Sequence, residues 1–305
     1  MTIISAIITI LGLSLFEIIN SIDNAIINAE VLSTMQAKAR RWFTTWGLLS
    51  SVVLVRGLLP FLIVFLLNPS QGIIKTFTAV FSSSPSVAAS LDKSAPYLLL
   101  AGGIFMVFVF FHWLFLEEKN YGLPGERFIA KQGVWFYAVV SILLAIIVWY
   151  AINADPLLAF SAVVGSTVFF ITHGFKQQAQ QAERKLLQKG MSDISKILYL
   201  EVIDMTFSID GVLGSFAFTF FVPLILVGNG LGALVLRQLT VSNIDKIKKY
   251  LYIKNGAMYS ILFLGLVMAL DSFGAHIPFW LTPMVTATIV GFFYLKSKMS
   301  EKYYV

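Results

Sequence analysis

Four carboxylates stand in stretches of sequence that are otherwise apolar. Glu17 and Asp23 lie in EIINSIDN, residues 17–24, and Asp204 and Asp210 lie in DMTFSIDG, residues 204–211. A helix turns about 100° per residue, so Glu17, Asn20, Ser21, Asn24 and Asn28 fall along one stripe with Asp23 beside it. Glu201, Asp204, Ser208 and Gly211 form a second stripe, with Asp210 at its side. Carboxylates among amide and hydroxyl oxygens are hard ligands. They suit Mg²⁺, Ca²⁺ or Mn²⁺ rather than metals that seek thiolate or imidazole. Met205, next to Asp204, could add a thioether favouring Mn²⁺, although a methionine in an apolar helix more often serves packing. Glu201 follows Lys196 closely, and an interfacial, solvated position is its simpler reading.

Two arginines, Arg56 and Arg237, share these apolar surroundings. Insertion scales put each charge at a membrane-helix centre at roughly 2.5–3.5 kcal/mol. Four acids and two arginines, if unpaired, would then cost on the order of 15–20 kcal/mol, more than a typical protein's whole stability. They must be paired, protonated or bound to something. One reading is purely structural acid–arginine pairing. The other, favoured reading is an ion or proton site at the acids, with the arginines as counter-ions or as parts of a gate.

The elements that must hold these residues follow from composition. The chain has 305 residues, 58% hydrophobic and only 12% charged, with a mean hydropathy of +0.82. A soluble domain is about half apolar and roughly a quarter charged, so the main solvent here is lipid. A spanning helix needs about 20 mostly apolar residues. Nine stretches qualify, near 4–32, 42–67, 97–116, 133–152, 156–173, 197–218, 220–241, 255–271 and 277–295. Pro223 marks the start of the seventh, since proline is well placed in a first turn. No basic n-region precedes the first stretch, and its two acids are unlike a cleaved signal.

Loop charge gives the orientation. With the N-terminus outside, eighteen of the 22 basic residues fall on inside connections or the C-terminal tail. Only Lys75 and Lys93 fall outside, a strong positive-inside asymmetry. The same distribution explains the net charge of +6 without nucleic acid. The expected protein is all-α, a polytopic bundle of about nine helices in a bacterial inner (plasma) membrane, with its C-terminus in the cytoplasm. It divides into residues 1–173, a polar helical linker over 174–196 and residues 197–305. The Ser-rich stretch 68–96 has room for a short surface helix. His112 and His173 fall near inner helix ends, and His276 in an outside loop. All three read as interfacial, and Asp271 as solvated.

The two acidic segments also match each other. An acid leads each, Ser-Ile-Asp follows at the same offset, and the LVR that ends at Arg56 is echoed by the VLR that ends at Arg237. Under the proposed orientation the first helix runs inward and the sixth outward, so the repeat is inverted. Inverted repeats characterise many secondary transporters, whose substrate lies near the midplane between the halves.

EIINSIDNAIINA, IDMTFSIDGVLGSFAF and LVGNGLGALVLR together resemble the TerC family of integral membrane proteins, within the LysE-type transporter superfamily. Glu17, Asp23 and Asn24 match its first motif, and Asp204, Phe207, Asp210, Val212, Asn229 and Arg237 match its second. Gly211 stands where that family usually has Ser, and Leu213 where it has Pro. The resemblance covers about a quarter of the chain. It implies a metal-ion transporter, most often linked to Mn²⁺ efflux, and an association with tellurium resistance.

The leading expectation is a divalent-cation exporter, Mn²⁺ first, with Ca²⁺ or Mg²⁺ as alternatives. Its site would comprise Glu17, Asp23, Asn24, Asp204 and Asp210, supported by Asn20, Arg56, Glu201, Asn229 and Arg237. The alternative is a membrane scaffold that binds metal without moving it, within a metal or tellurite stress-resistance complex. No enzyme is expected. There is no cysteine and no His-Glu-x-x-His, and no Gly-x-Ser-x-Gly stands in a plausible context. No organic cofactor or nucleic acid is expected. The partners are the lipid bilayer and the metal ion, with a homo-oligomer left open.

Overall fold

A chain surrounded by lipid must satisfy its backbone within itself, and a helix does so inside one segment. The computed structural model describes residues 2–22, 25, 31–47, 56–59, 61–62, 65, 72–81, 85–186, 192–248 and 250–301. Among the described residues the regular structure is entirely helical, with no strand. The main helices are α1 (Ile3–Asn20), α2 (Ile73–Phe81), α3 (Pro85–Leu116), α4 (Phe136–Ala154) and α5 (Pro156–Leu186). They continue with α6 (Asp193–Ser215), α7 (Val222–Lys248), α8 (Ile253–Ser272) and α9 (Leu281–Glu301).

Local signals set several of these ends. Asp155 accepts a hydrogen bond from the Leu157 amide at 2.9 Å, and Pro156 takes the first helical position. Together they turn the chain sharply from α4 into α5. Ser192 caps α6 by accepting from the Ser195 amide at 3.2 Å. Pro223 falls in the first turn of α7, as expected.

Among the described residues, five helical segments are long and apolar enough to cross a membrane: Ile3–Asn20, Lys93–Leu116, Gly133–Ala154, Pro156–Gln178 and Ile253–Ser272. α6, α7 and α9 fall where the sixth, seventh and ninth spans were expected, but their windows are more polar. α6 carries Glu201, Asp204 and Asp210, the apolar part of α7 is short (Val222–Leu236), and α9 is diluted by threonines and terminal lysines. Half of the expected second span, 42–67, lies outside the described residues. Two expected boundaries also move. α5 runs unbroken past residue 173 to Leu186, so the first part of the expected linker belongs to a helix that begins at Pro156. α3 begins at Pro85, upstream of the expected 97, with Pro96 inside it. The short helix anticipated within 68–96 is α2.

α3 is the hub, with 67% of its spanning window buried, against 17% for Gly133–Ala154. Parallel packing of α3 on α5 pairs Ala101 with Gly165, and Phe105 and Phe108 with Phe169. Antiparallel packing on α8 brings the Gly103 and Gly265 backbones together; a Cβ on Gly103 would lie 2.8 Å from the Gly265 carbonyl oxygen. Ile142, Ile146, Trp149 and Tyr150 are exposed on α4, a rim suited to lipid.

The acidic helices meet on the other side of the bundle. Along α1, Gly12 lies against Phe218, Phe16 against Gly214, and Glu17 and Asn20 against Gly211. Rising numbers on α1 meet falling numbers around α6, so the two helices are antiparallel neighbours. α7 runs parallel to α1 and approaches it through two glycines. A Cβ on Gly228 would sit 2.5 Å from Leu13 Cβ, and one on Gly232 2.6 Å from the Ser14 carbonyl oxygen. Small residues four apart allow such close backbone approach between membrane helices. The Ser14 hydroxyl fastens the contact, donating to the Gly228 carbonyl at 2.8 Å.

Candidate cation site

Glu17 occupies the last turn of α1 and is completely buried. Arg56, equally enclosed, grips it with two prongs. Its Nε donates to Glu17 Oε2 at 3.2 Å, and its NH2 group donates to Oε1. The Ser21 hydroxyl adds a third bond to Oε1 at 2.7 Å. A planar guanidinium on a carboxylate is the strong, geometrically specific form of an ion pair. The Asp204 charge also acts on Arg56. The pairing of Arg56 with a motif acid, anticipated from the cost of burying charge, is therefore present.

Asp210, on α6, is 6% exposed and pairs with the Lys176 ammonium of α5 through Oδ2. Its other oxygen, Oδ1, is buried with no hydrogen-bond partner among the described residues. Asn229 of α7 is in a similar state. Its Nδ2 donates to Ser215 Oγ at 2.8 Å, Ser215 Oγ donates to the Gly211 carbonyl at 2.6 Å, and Asn229 Oδ1 is left without a partner among the described residues. Buried oxygens normally find a donor, and exceptions call for an explanation. Gly211 stands between the two acidic helices, where a Cβ would lie 3.3 Å from Glu17 Oε2 and 3.5 Å from Asn20 Nδ2.

Of the expected site residues, the structure thus brings Glu17, Asn20 and Arg56 together against Gly211. Asp204 lies within electrostatic range of Arg56, and Asp210 is on the same helix. Asn229 joins through Ser215. Glu201 is half-buried, packed against Gly47 rather than simply solvated. Asp23 and Asn24 lie outside the described residues, as do the side chains of Met205 and Arg237. Among the described residues no three of His, Asp and Glu converge closely enough to hold a metal ion.

Sequence reasoning missed several polar side chains. Lys176, which hydropathy places on the inside linker, is the partner of Asp210. His112 and His173 were treated as separate interfacial residues, yet their ring centroids are 3.8 Å apart. Glu117, just past α3, lies 3.3 Å from His112 Nδ1 through Oε1 and 2.8 Å from Lys254 Nζ through Oε2. Burial pushes the Glu117 carboxyl up, but the His112 hydrogen bond and the Lys254 charge outweigh it and hold the group well below the usual carboxylate range. Glu126 is a buried acid that is fully satisfied. It accepts from the Gly122 amide at 2.7 Å, Asn255 Nδ2 at 3.0 Å and the Tyr259 hydroxyl at 2.9 Å. Nearby, the Lys119 ammonium caps the carbonyls of Trp113 and Leu114 at the end of α3. Burial lowers the Lys119 pKa to about 8, against the raising effect of Glu126 and Glu117.

Apolar helices of spanning length around enclosed ion pairs define the class: an all-helical chain consistent with an integral membrane protein. Within that class the family is settled. The family described as "Protein of unknown function (DUF475)" matches residues 22–303, and the chain belongs to it. No curated protein and no solved structure matches the chain.

Proposed function

We propose that this protein moves divalent cations across the membrane, with Mn²⁺ as the first candidate and export as the direction. The reading takes the chain as a bundle of about nine spans, N-terminus outside, built on an inverted repeat whose halves meet at α1 and α6. The observation that carries it is the state of Asp210: a buried motif carboxylate with one oxygen on Lys176 and the other without a partner among the described residues. It is supported by the antiparallel contact that sets Glu17 and Asn20 against Gly211. The step from a cation to Mn²⁺ rests on the TerC resemblance of the two motifs.

In this reading Arg56 and Lys176 occupy the positive positions that a dication would contest. The cation enters between α1 and α6, takes oxygens of Asp210, Asn229 and the Asp23 segment, and displaces Lys176 from Asp210. Return of the Lys176 ammonium to Asp210 then helps to expel it. Purified protein in liposomes should show Mn²⁺ flux exceeding that of Zn²⁺, with Ca²⁺ and Mg²⁺ run alongside. Asp23→Asn and Asp210→Asn should abolish flux while the protein remains folded. Removing one anionic ligand in low dielectric forfeits several kcal/mol of attraction, since a unit pair at 4 Å is worth about 4 kcal/mol even at an effective dielectric near 20. Parental flux in both folded variants would sink the reading. Binding without flux in the parent protein would favour the scaffold alternative.

A further inference from the structure

Beyond the acidic motifs, the bundle holds a second connected group of titratable side chains. His112 of α3 and His173 of α5 face each other because the two helices run parallel in register. Phe136 and Phe169 enclose the pair. Two imidazolium charges at this separation would repel strongly, which disfavours charging both rings at once. Glu117 pairs with both His112 and Lys254, and Lys119 lies within electrostatic range of Glu117 and Lys254. At the other ring, Gln177 Nε2 lies 3.1 Å from His173 Nε2. One helical turn along α5 from His173, Lys176 reaches Asp210 of α6. No charged side chain of α4 faces the rings; the contact there is Phe136.

We infer that His112 and His173 form a single-proton site whose occupancy opposes cation binding at Asp210, making the proton the coupling ion. This rests on the transport reading proposed above. A proton on the pair places positive charge one turn from Lys176, the partner of Asp210, so a dication there is disfavoured. By linkage the effect is reciprocal, and a bound dication lowers the pair's hold on its proton. Glu117 connects the pair to the partly exposed helix end, which gives the proton a way in. The geometry is not that of a metal centre, since no three such groups converge among the described residues.

The test is run on the full chain in detergent micelles. Proton uptake is counted by potentiometric titration between pH 8 and 5.5, and Mn²⁺ affinity is measured by electron paramagnetic resonance at both ends of that range. A shared site predicts that His173→Gln takes up as many protons as the parent, because His112 then takes the one proton alone. His112→Gln/His173→Gln should take up one fewer. Loss of one proton for each substitution would overturn the shared site. Coupling predicts that Mn²⁺ affinity falls between pH 8 and 5.5 by a factor about fivefold greater in the parent than in the double variant, at the low end of common coupling strengths. Equal falls would overturn the coupling. If the parent binds no Mn²⁺ at all, the transport reading fails and takes the coupling with it. The proton count still decides the histidine site.

Discussion

Replacing Arg56 with methionine removes one half of the most enclosed ion pair among the described residues while keeping a long apolar side chain in its place. The carboxylate of Glu17 is then left with the Ser21 hydroxyl as its one remaining partner among the hydrogen bonds described. Two guanidinium hydrogen bonds disappear, together with a charge pair worth about 4 kcal/mol at 4 Å and an effective dielectric near 20. Breaking a buried pair by deleting one partner costs about 3–5 kcal/mol, because the surviving charge is uncompensated. Arg56→Met should therefore consume a large part of the stability of a typical fold. Glu17→Gln/Arg56→Met should recover most of the loss, since neither side then carries a buried charge. The assay is reversible unfolding in mixed micelles for the parent, both single variants and the double variant. The cycle should give a coupling energy of about 3 kcal/mol. A value under about 0.5 kcal/mol would refute the argument that these two charges stabilise each other.

Other expectations follow from neighbouring contacts. Lys176→Met should destabilise the protein by leaving Asp210 uncompensated, and saturating Mn²⁺ should restore its melting temperature by more than it raises that of the parent; a thermal series with and without Mn²⁺ checks this. Gly232→Ala should cost about 1–3 kcal/mol of overpacking at the α1–α7 contact, whereas Gly291→Ala, with nothing within 4 Å of its Cβ, should gain up to about 1 kcal/mol of helix propensity; unfolding free energies of the two distinguish them. Glu117 is depressed in the fold, so its contribution is fully present above the unfolded carboxylate pKa of 4.5 and is lost as pH falls through the folded value. Glu117→Gln should accordingly lose less stability than the parent between pH 5 and pH 3. Lys119 is also depressed, to about 8. The unfolded chain then binds more protons between about pH 8 and 10.5, and Lys119→Met should flatten the rise in stability with pH across that window.

The parts of this arrangement that were legible in the sequence are those governed by cost. Glu17 and Arg56 in apolar runs had to be paired, and they are. The chain's apolar runs had to be helices, because lipid offers the backbone no partner. What was not legible depended on contacts between distant segments. Hydropathy closes the fifth span at His173, but Lys-Gln-Gln-Ala-Gln-Gln is a good helix former. α5 therefore continues, and Lys176 reaches the acid that a loop residue would have missed. The meeting of His112 and His173 is set by the register of α3 on α5, fixed at Ala101 and Gly165, and no period within either helix announces it. Hydropathy likewise opens the third span at 97, yet α3 begins at Pro85 and carries Pro96 inside it, since a single proline is tolerated as a kink within a helix.

α5 has a mechanical consequence of its own. Its 31 residues make a rod about 46 Å long at 1.5 Å per residue, against a hydrocarbon slab of about 30 Å. Its start is pinned by the Asp155–Pro156 corner, so where α5 crosses a membrane the excess length lies beyond the opposite face. Lys176 sits along this rod, two-thirds of the way from its start. A sideways push on the projecting end is delivered to the ammonium as leverage, with no hinge in between to absorb it. Whatever grips that stub from the aqueous side has a handle on Asp210.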